Sequence, residues 1–179
     1  MEIRFLTSDD ANEWWRLRLE ALQGDPEAFS SSAEEHQSLS LEDVRSRLGS
    51  PTGDSFVVGS FDEGRLVGMV GFYREKGLKT RHKGRIWGVY VTPSHRAKGL
   101  ARLIMDRVLD RAQSIDGIEQ ILLSYTTTQA AAKRLYVSLG FEPFGREPRA
   151  LKVFGNFIDE EYMVLLKRAV RDGAGIQRS

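Results

Sequence analysis

The stretch Ile86-Trp87-Gly88-Val89-Tyr90-Val91-Thr92-Pro93-Ser94-His95-Arg96-Ala97-Lys98-Gly99-Leu100-Ala101 decides how this chain is read. Ile86 to Val91 is rich in β-branched and aromatic residues and predicts a short strand. Thr92 to Gly99 predicts a loop, after which Leu100, Leu103, Ile104, Val108 and Ala112 recur as the apolar stripe of a helix. A loop that leaves a strand and opens a helix gathers unpaired N–H groups at the positive end of the helix dipole, which suits an anion. Gly99 has no side chain and Ala101 only a methyl, so a diphosphate can approach the backbone, with Arg96 and Lys98 adding charge. An ordinary strand–loop–helix connection with solvated Arg and Lys fits the same residues. There is no Gly-Lys-Ser/Thr and no Gly-x-Gly-x-x-Gly after a strand, which removes the ATPase and dinucleotide readings.

Upstream, Glu2 to Leu6 predicts a strand. Thr7-Ser8-Asp9 offers caps for a helix carrying Ala11, Trp15, Leu19 and Leu22, which ends at Gly24-Asp25-Pro26. Glu27 to Ser40 is polar and serine-rich, and Ser40 can cap a short helix bearing Leu41, Val44 and Leu48; a turn cluster follows at Gly49 to Asp54. Ser55–Phe61 and Arg65–Tyr73 around Asp62-Glu63-Gly64 predict an antiparallel hairpin, and Lys76 to Arg85 a basic loop. Downstream, Gln120–Thr126 predicts a strand, Gln129–Leu139 a helix stopped by Gly140, and Phe141 onward a strand. Ala150–Phe154 and Phe157–Lys167 flank Gly155-Asn156 as a closing hairpin. The expectation is one α+β domain over residues 1–167, a mixed and mainly antiparallel twisted sheet flanked by helices, with residues 168–179 as a tail.

Composition narrows the function classes. The 179 residues fit one domain, and 41% apolar with 28% charged residues is the balance of a globular protein. Lys+Arg at 26 against Asp+Glu at 25 leaves no global field for nucleic acid or an anionic membrane, so neither is an expected partner. The absence of cysteine removes thiolate chemistry and Cys-based metal sites. His36, His82 and His95 lack metal-ligand spacing, so no metal is expected. Met1-Glu2-Ile3-Arg4 starts no apolar leader and no run has membrane-spanning length, which gives a cytoplasmic expectation.

Val91-x-Pro93-x-x-Arg96-x-x-Gly99-x-Ala101, preceded by a strand, resembles the coenzyme A pyrophosphate motif of the GNAT superfamily of N-acetyltransferases. Ala132-x-x-Leu135-Tyr136-x-x-Leu139-Gly140-Phe141 resembles the helix and strand that follow in that superfamily. The resemblance is strong from Ile86 to about Gly145, and before that it lies only in element order. It implies a GNAT-type fold with acetyl-CoA lying between two splayed strands. Its pantetheine arm would pair with Val89, Tyr90 and Val91, and its diphosphate would sit over Arg96, Ala97, Lys98, Gly99, Leu100, Ala101 and Arg102. Gln129 stands where many members carry an asparagine that bonds the pantetheine arm, and Ala132 lines the same helix.

For catalysis the resemblance points to Tyr136, one helical turn after Ala132, as the group that meets the leaving thiolate. A phenol of pKa about 10 protonating a thiolate near 8.5 is uphill by about 2 kcal/mol, so hydrogen-bond donation serves as well as proton transfer. A main-chain N–H around Tyr90 suits the carbonyl oxygen. Gly88 sits where some members place a strand carboxylate, so the base is unassigned; Glu34, Glu35, Glu75 and His82 are candidates by residue type alone. Trp14, Trp15 and Phe29 fall in the acceptor region of relatives, with core packing preferred for Trp15. The stretch Lys76, Lys79, Arg81, His82, Lys83 and Arg85 is either a solvated loop or a face for an acidic substrate.

The implied activity is acetyl transfer from acetyl-CoA to a primary amine of a small molecule or peptide, by direct attack in a ternary complex. A catalytically silent acyl-CoA-binding sensor or partner domain is the alternative, and a transferase of longer acyl groups or to oxygen is a third. By analogy with relatives that pair through strands near the C-terminus, a homodimer is expected.

Overall fold

The structure, a computed structural model, describes residues 1–48 and 53–167. Part of the predicted turn at 49–54 and the whole tail at 168–179 lie outside the described residues. The elements in chain order are β1 (Glu2–Phe5), α1 (Ala11–Gly24), α2 (Ala33–Gln37), α3 (Leu41–Leu48), β2 (Ser55–Asp62), β3 (Arg65–Arg74) and β4 (Lys83–Val91). Then come α4 (Leu100–Ser114), β5 (Gln120–Thr126), α5 (Ala130–Ser138), β6 (Glu142–Val153) and β7 (Asn156–Leu166).

The strands form one seven-stranded sheet in the order β1-β2-β3-β4-β5-β7-β6. All neighbours are antiparallel except β4 and β5. The mixed, mainly antiparallel architecture is therefore as expected. Glu63 and Gly64 both take positive φ, the two-residue turn whose twist suits a hairpin.

The sheet separates two cores, because successive side chains of a strand point to opposite faces. Val58, Val70 and Phe72 pack with Ile104, Met105 and Val108 of α4. Val57 and Met69 pack with Trp14 and Leu17 of α1 and Leu48 of α3. Polar bonds also fix α1 to the sheet: Glu13 accepts from Leu66 N at 2.9 Å, and Arg16 donates to Leu66 O at 2.6 Å. Near its end, Glu20 accepts from Thr92 Oγ1 at 2.5 Å and Tyr90 Oη at 3.2 Å.

Four local expectations change. The buried stripe of α1 is Ala11, Trp14, Leu17, Arg18, Ala21 and Leu22, with Trp15 and Leu19 only partly buried. Part of the serine-rich segment forms α2, held by a reciprocal cap in which Ser32 Oγ accepts from Glu35 N and Glu35 from Ser32 N. The strand expected from Ile86 begins at Lys83, so the last three residues of the basic segment are strand rather than loop. The strands expected from Phe141 onward and from Ala150 form one strand, β6, which starts at Glu142 and bulges between Pro143 and Gly145 and between Glu147 and Leu151.

Candidate active site

Strands β4 and β5 pair only through Lys83–Arg85 against Gln120–Leu122. Beyond Arg85 they part, and a cavity of about 90 Å³ opens between them, lined by Gly88, Val89, Tyr125, Gln129, Ala132 and Tyr136 among others. Gly88 holds φ +63, a left-handed conformation that glycine takes without strain. It falls where the β3–β4 register slips between Met69/Tyr90 and Gly71/Trp87. The bulge is the local device that bends β4 away from β5.

On one side this cavity joins a groove of about 320 Å³. The groove is lined by Val89, Tyr90, Val91, Arg96, Ala97, Gly99, Leu100, Ala101, Arg102, Gln129, Ala132 and Tyr136. Of the residues predicted from sequence for the coenzyme, only Lys98 is not on it. Its ammonium bonds Ser94 O at 3.0 Å instead. Among the described residues, the N–H groups from Ala97 to Arg102 have no backbone acceptor, and the first bond of α4 is Leu103 N to Gly99 O. Ala97 (φ 59) and Gly99 (φ 76) turn the chain so that successive N–H groups form a nest.

Arg96 does less for an anion than its charge suggested. Its Nη2 pairs with Asp25 at 2.6 Å, its Nε donates to Val91 O at 2.8 Å, and the guanidinium lies over the Tyr90 ring. It braces the loop between α1 and β4. Tyr90, buried and beside Glu20, has its phenol pushed up to about 12. Gln129 is the N-cap of α5 and its side chain makes no capping bond.

Tyr136 is 4% exposed and packs its ring on Tyr125 and Phe141. It lines both the groove and the cavity between the strands. Burial pushes its phenol well above the usual range, so it stays protonated at neutral pH.

On the other side, Trp87 connects the inter-strand cavity to a cleft of about 1330 Å³ between α1, α2, α3 and the end of β3. Trp14, Arg18, His36, Arg74, Lys76 and Arg81 line it. Of the residues proposed by type as a base, Glu35 and Glu75 line the cleft. Both are engaged, Glu35 in the α2 cap and Glu75 with Arg85 at 2.8 Å, while Glu34 and His82 line none of the three cavities. Phe29 reaches the groove, Trp15 lines none of the three cavities, and Lys76 and Arg81 are the two basic side chains of the Lys76–Arg85 segment that line the cleft. Sequence reading missed Arg18, His36 and Trp87 as cleft residues. His36 is 4% exposed and its Nε2–H donates to Trp15 O at 2.9 Å, which leaves Nδ1 unprotonated in the neutral ring. No group of three or more acidic or histidine residues able to hold a metal ion occurs among the described residues.

A nest-bearing groove that joins a gap between parting strands of a mixed, mainly antiparallel sheet defines an α+β class suited to a diphosphate-bearing ligand. Residues 12–141 match the Acetyltransferase (GNAT) family, and the chain belongs to it. It is 32% identical over 145 residues to a mycothiol acetyltransferase of Brachybacterium faecium, covering 80% of this chain and 41% of the relative. It is 35% identical over 77 residues to an L-methionine sulfoximine/L-methionine sulfone acetyltransferase of Salmonella typhimurium, covering 43% of this chain and 44% of that one. The chain thus spans less than half the length of these curated relatives. The yncA protein of Salmonella typhimurium, solved with its cofactor acetyl-CoA, superposes with a TM-score of 0.76 at 25% identity, over 97% of this chain and 98% of that one.

Proposed function

We propose that the chain is an N-acetyltransferase that moves acetyl from acetyl-CoA to the primary amine of a small molecule or peptide. The observation that carries this is the series of three joined cavities: a groove with a nest of N–H groups, a gap between strands holding a protonated Tyr136, and an open cleft beyond. The donor fits on two structural grounds. The free N–H groups of Ala97 to Arg102 match a diphosphate, and the edge of β4 past Arg85 lacks a β5 partner, so Val89 to Val91 can pair with an extended amide-bearing arm.

When bound, acetyl-CoA supplies a thioester whose carbonyl carbon is the electrophile. The nest holds the diphosphate, and β4 orients the arm, with a main-chain N–H around Tyr90 for the carbonyl oxygen. A neutral amine arriving from the cleft forms the new N–C bond as the C–S bond breaks. The sulfur keeps the electron pair, and the amine proton leaves to water in the cleft. Tyr136 donates a hydrogen bond to that sulfur. Its raised pKa makes full proton transfer costlier than for an ordinary phenol, so donation is its role.

Residues 1–167 serve as one catalytic domain in this reading, and a cytoplasmic location belongs to the same proposal. Two copies pair along β6, the edge strand of the sheet, which is exposed from Glu142 to Arg149 and carries Phe144. The test of the activity is free-thiol release from acetyl-CoA across a panel of amines, amino acids, polyamines and peptides. Acceptor-dependent thiol release supports the transferase. Tight acetyl-CoA binding with no release supports the silent sensor instead.

A further inference from the structure

Trp14 and Arg18 stand one turn apart on α1 and both line the large cleft. Each keeps a buried donor with no acceptor, Trp14 Nε1 and Arg18 Nη1. Arg18 is 8% exposed, and its guanidinium rests over the Phe29 ring at 4.7 Å. Burial lowers its pKa to about 10, which still leaves a cation at neutral pH. Among the described residues that line the cleft, no carboxylate pairs with Arg18. Glu35 is turned to Ser32, Asp54 pairs with Arg74, and Glu75 pairs with Arg85. A buried charge left unpaired is unfavourable, and two such donors on one helix face call for an acceptor from outside the chain.

Position fixes what that acceptor is attached to. A Cβ placed on Gly88 would lie 3.6 Å from Arg18 Nη1, and Gly88 lines the gap between β4 and β5. Gly88 and the orphaned guanidinium therefore face each other at the mouth of the gap. An anion that enters the cleft beside Gly88 occupies the place a carboxylate side chain there would take.

We propose that Trp14 Nε1 and Arg18 Nη1 seat the carboxylate of the acceptor, and that the acceptor is an α-amino acid. This rests on the acetyltransferase reading above. In an α-amino acid the nitrogen stands about 2.5 Å from the carboxyl carbon, from the N–Cα and Cα–C lengths and their angle. A carboxylate on Arg18 thus leaves its amine beside Gly88, at the mouth of the gap. A polyamine brings a second cation toward Arg18, and a peptide N-terminus has no carboxylate next to its amine.

The test compares kcat/KM of the full chain for phenylalanine and phenethylamine, and for leucine and isopentylamine, with spermidine and an amidated dipeptide alongside. The amino acids should be preferred by about 100-fold, mostly through KM, as for a charge-assisted bidentate contact. Arg18→Gln should shrink that preference to below about 10-fold, with Arg18→Lys restoring part of it. Calorimetric acetyl-CoA affinity reports whether each variant is folded. Should Arg18→Gln not fold, Trp14→Phe and the wild-type comparison decide. Equal use of amine and amino acid by the wild type, or an undiminished preference in a folded Arg18→Gln, overturns the carboxylate seat while leaving the transferase standing. No thiol release with any acceptor overturns both.

Discussion

A Cβ on Gly71 would stand 2.1 Å from Trp87 Cε2, so the indole of β4 lies directly over its register partner on β3. Trp87 lines both the cleft and the gap between the strands, but not the coenzyme groove. Gly71→Ala must therefore move the indole. We expect a loss of about 1–3 kcal/mol in stability, the usual result of forcing extra volume into a packed site. Acceptor KM should rise severalfold while acetyl-CoA affinity changes by less than roughly twofold, since Trp87 itself does not line the groove. Steady-state kinetics with calorimetry checks this, and an unchanged acceptor KM would detach Trp87 from the acceptor path.

At Gly99 a Cβ meets no protein atom within 4 Å, so a side chain there offends by conformation and by filling the groove. With φ at +76, Gly99→Ala should cost about 1–2 kcal/mol of loop strain. Gly99→Val adds a β-branched side chain over the N–H nest and should weaken acetyl-CoA binding about 100-fold, through strain and blocked approach together. Titration calorimetry on the pair separates the two effects, and native affinity in Gly99→Val would show that the diphosphate lies elsewhere.

Tyr136→Phe removes a hydroxyl that bonds no described residue. Its melting temperature should accordingly stay close to wild type. Turnover should fall about 10- to 100-fold, in line with losing one donor to a developing charge, while acetyl-CoA affinity holds. Because burial raises the phenol pKa, the donor persists as the solution becomes alkaline. The wild-type turnover number should show no falling limb from Tyr136 up to about pH 10, the ordinary phenol value. A drop centred below that pH which vanishes in the phenylalanine variant would contradict the buried, protonated state.

The coenzyme half of the site was legible because it is local. Gly99, Ala101 and the helix stripe beginning at Leu100 specify strand, nest and helix within one segment, and the chain supplies the N–H groups wherever that segment folds. Arg96 carried less information, since its partner Asp25 is 71 residues away and neutralises a charge that seemed free. The acceptor half depends on contacts of that long kind. Trp14 and Trp15 are adjacent and both apolar, so only the docking of α1 on β3, through Glu13, Arg16 and Leu66, decides which one faces the sheet. Arg18 follows from that same rotation. Read alone, an arginine on a surface helix belongs to solvent, and its burial opposite Gly88 appears only when α1 and β4 are brought together.

His36 offers a titration that isolates this helical wall. It is buried against Trp14 and Trp15, and burial, aided by the nearby charges of Arg18 and Arg47, lowers its pKa below the usual 6.5. The native state therefore holds the ring neutral while the unfolded chain binds a proton as the pH drops through about 6.5. Stability rises with pH wherever the unfolded state binds more protons, so the contribution is intact above that value and is lost progressively below it, down to the folded pKa. Melting temperatures of the wild type should decline from pH 7.5 to 5.5. His36→Gln, which can still donate to Trp15 O, should show a flatter decline. Parallel profiles for the two proteins would mean that His36 charges freely in the folded state, and that the wall formed by α1 and α2 admits water at neutral pH.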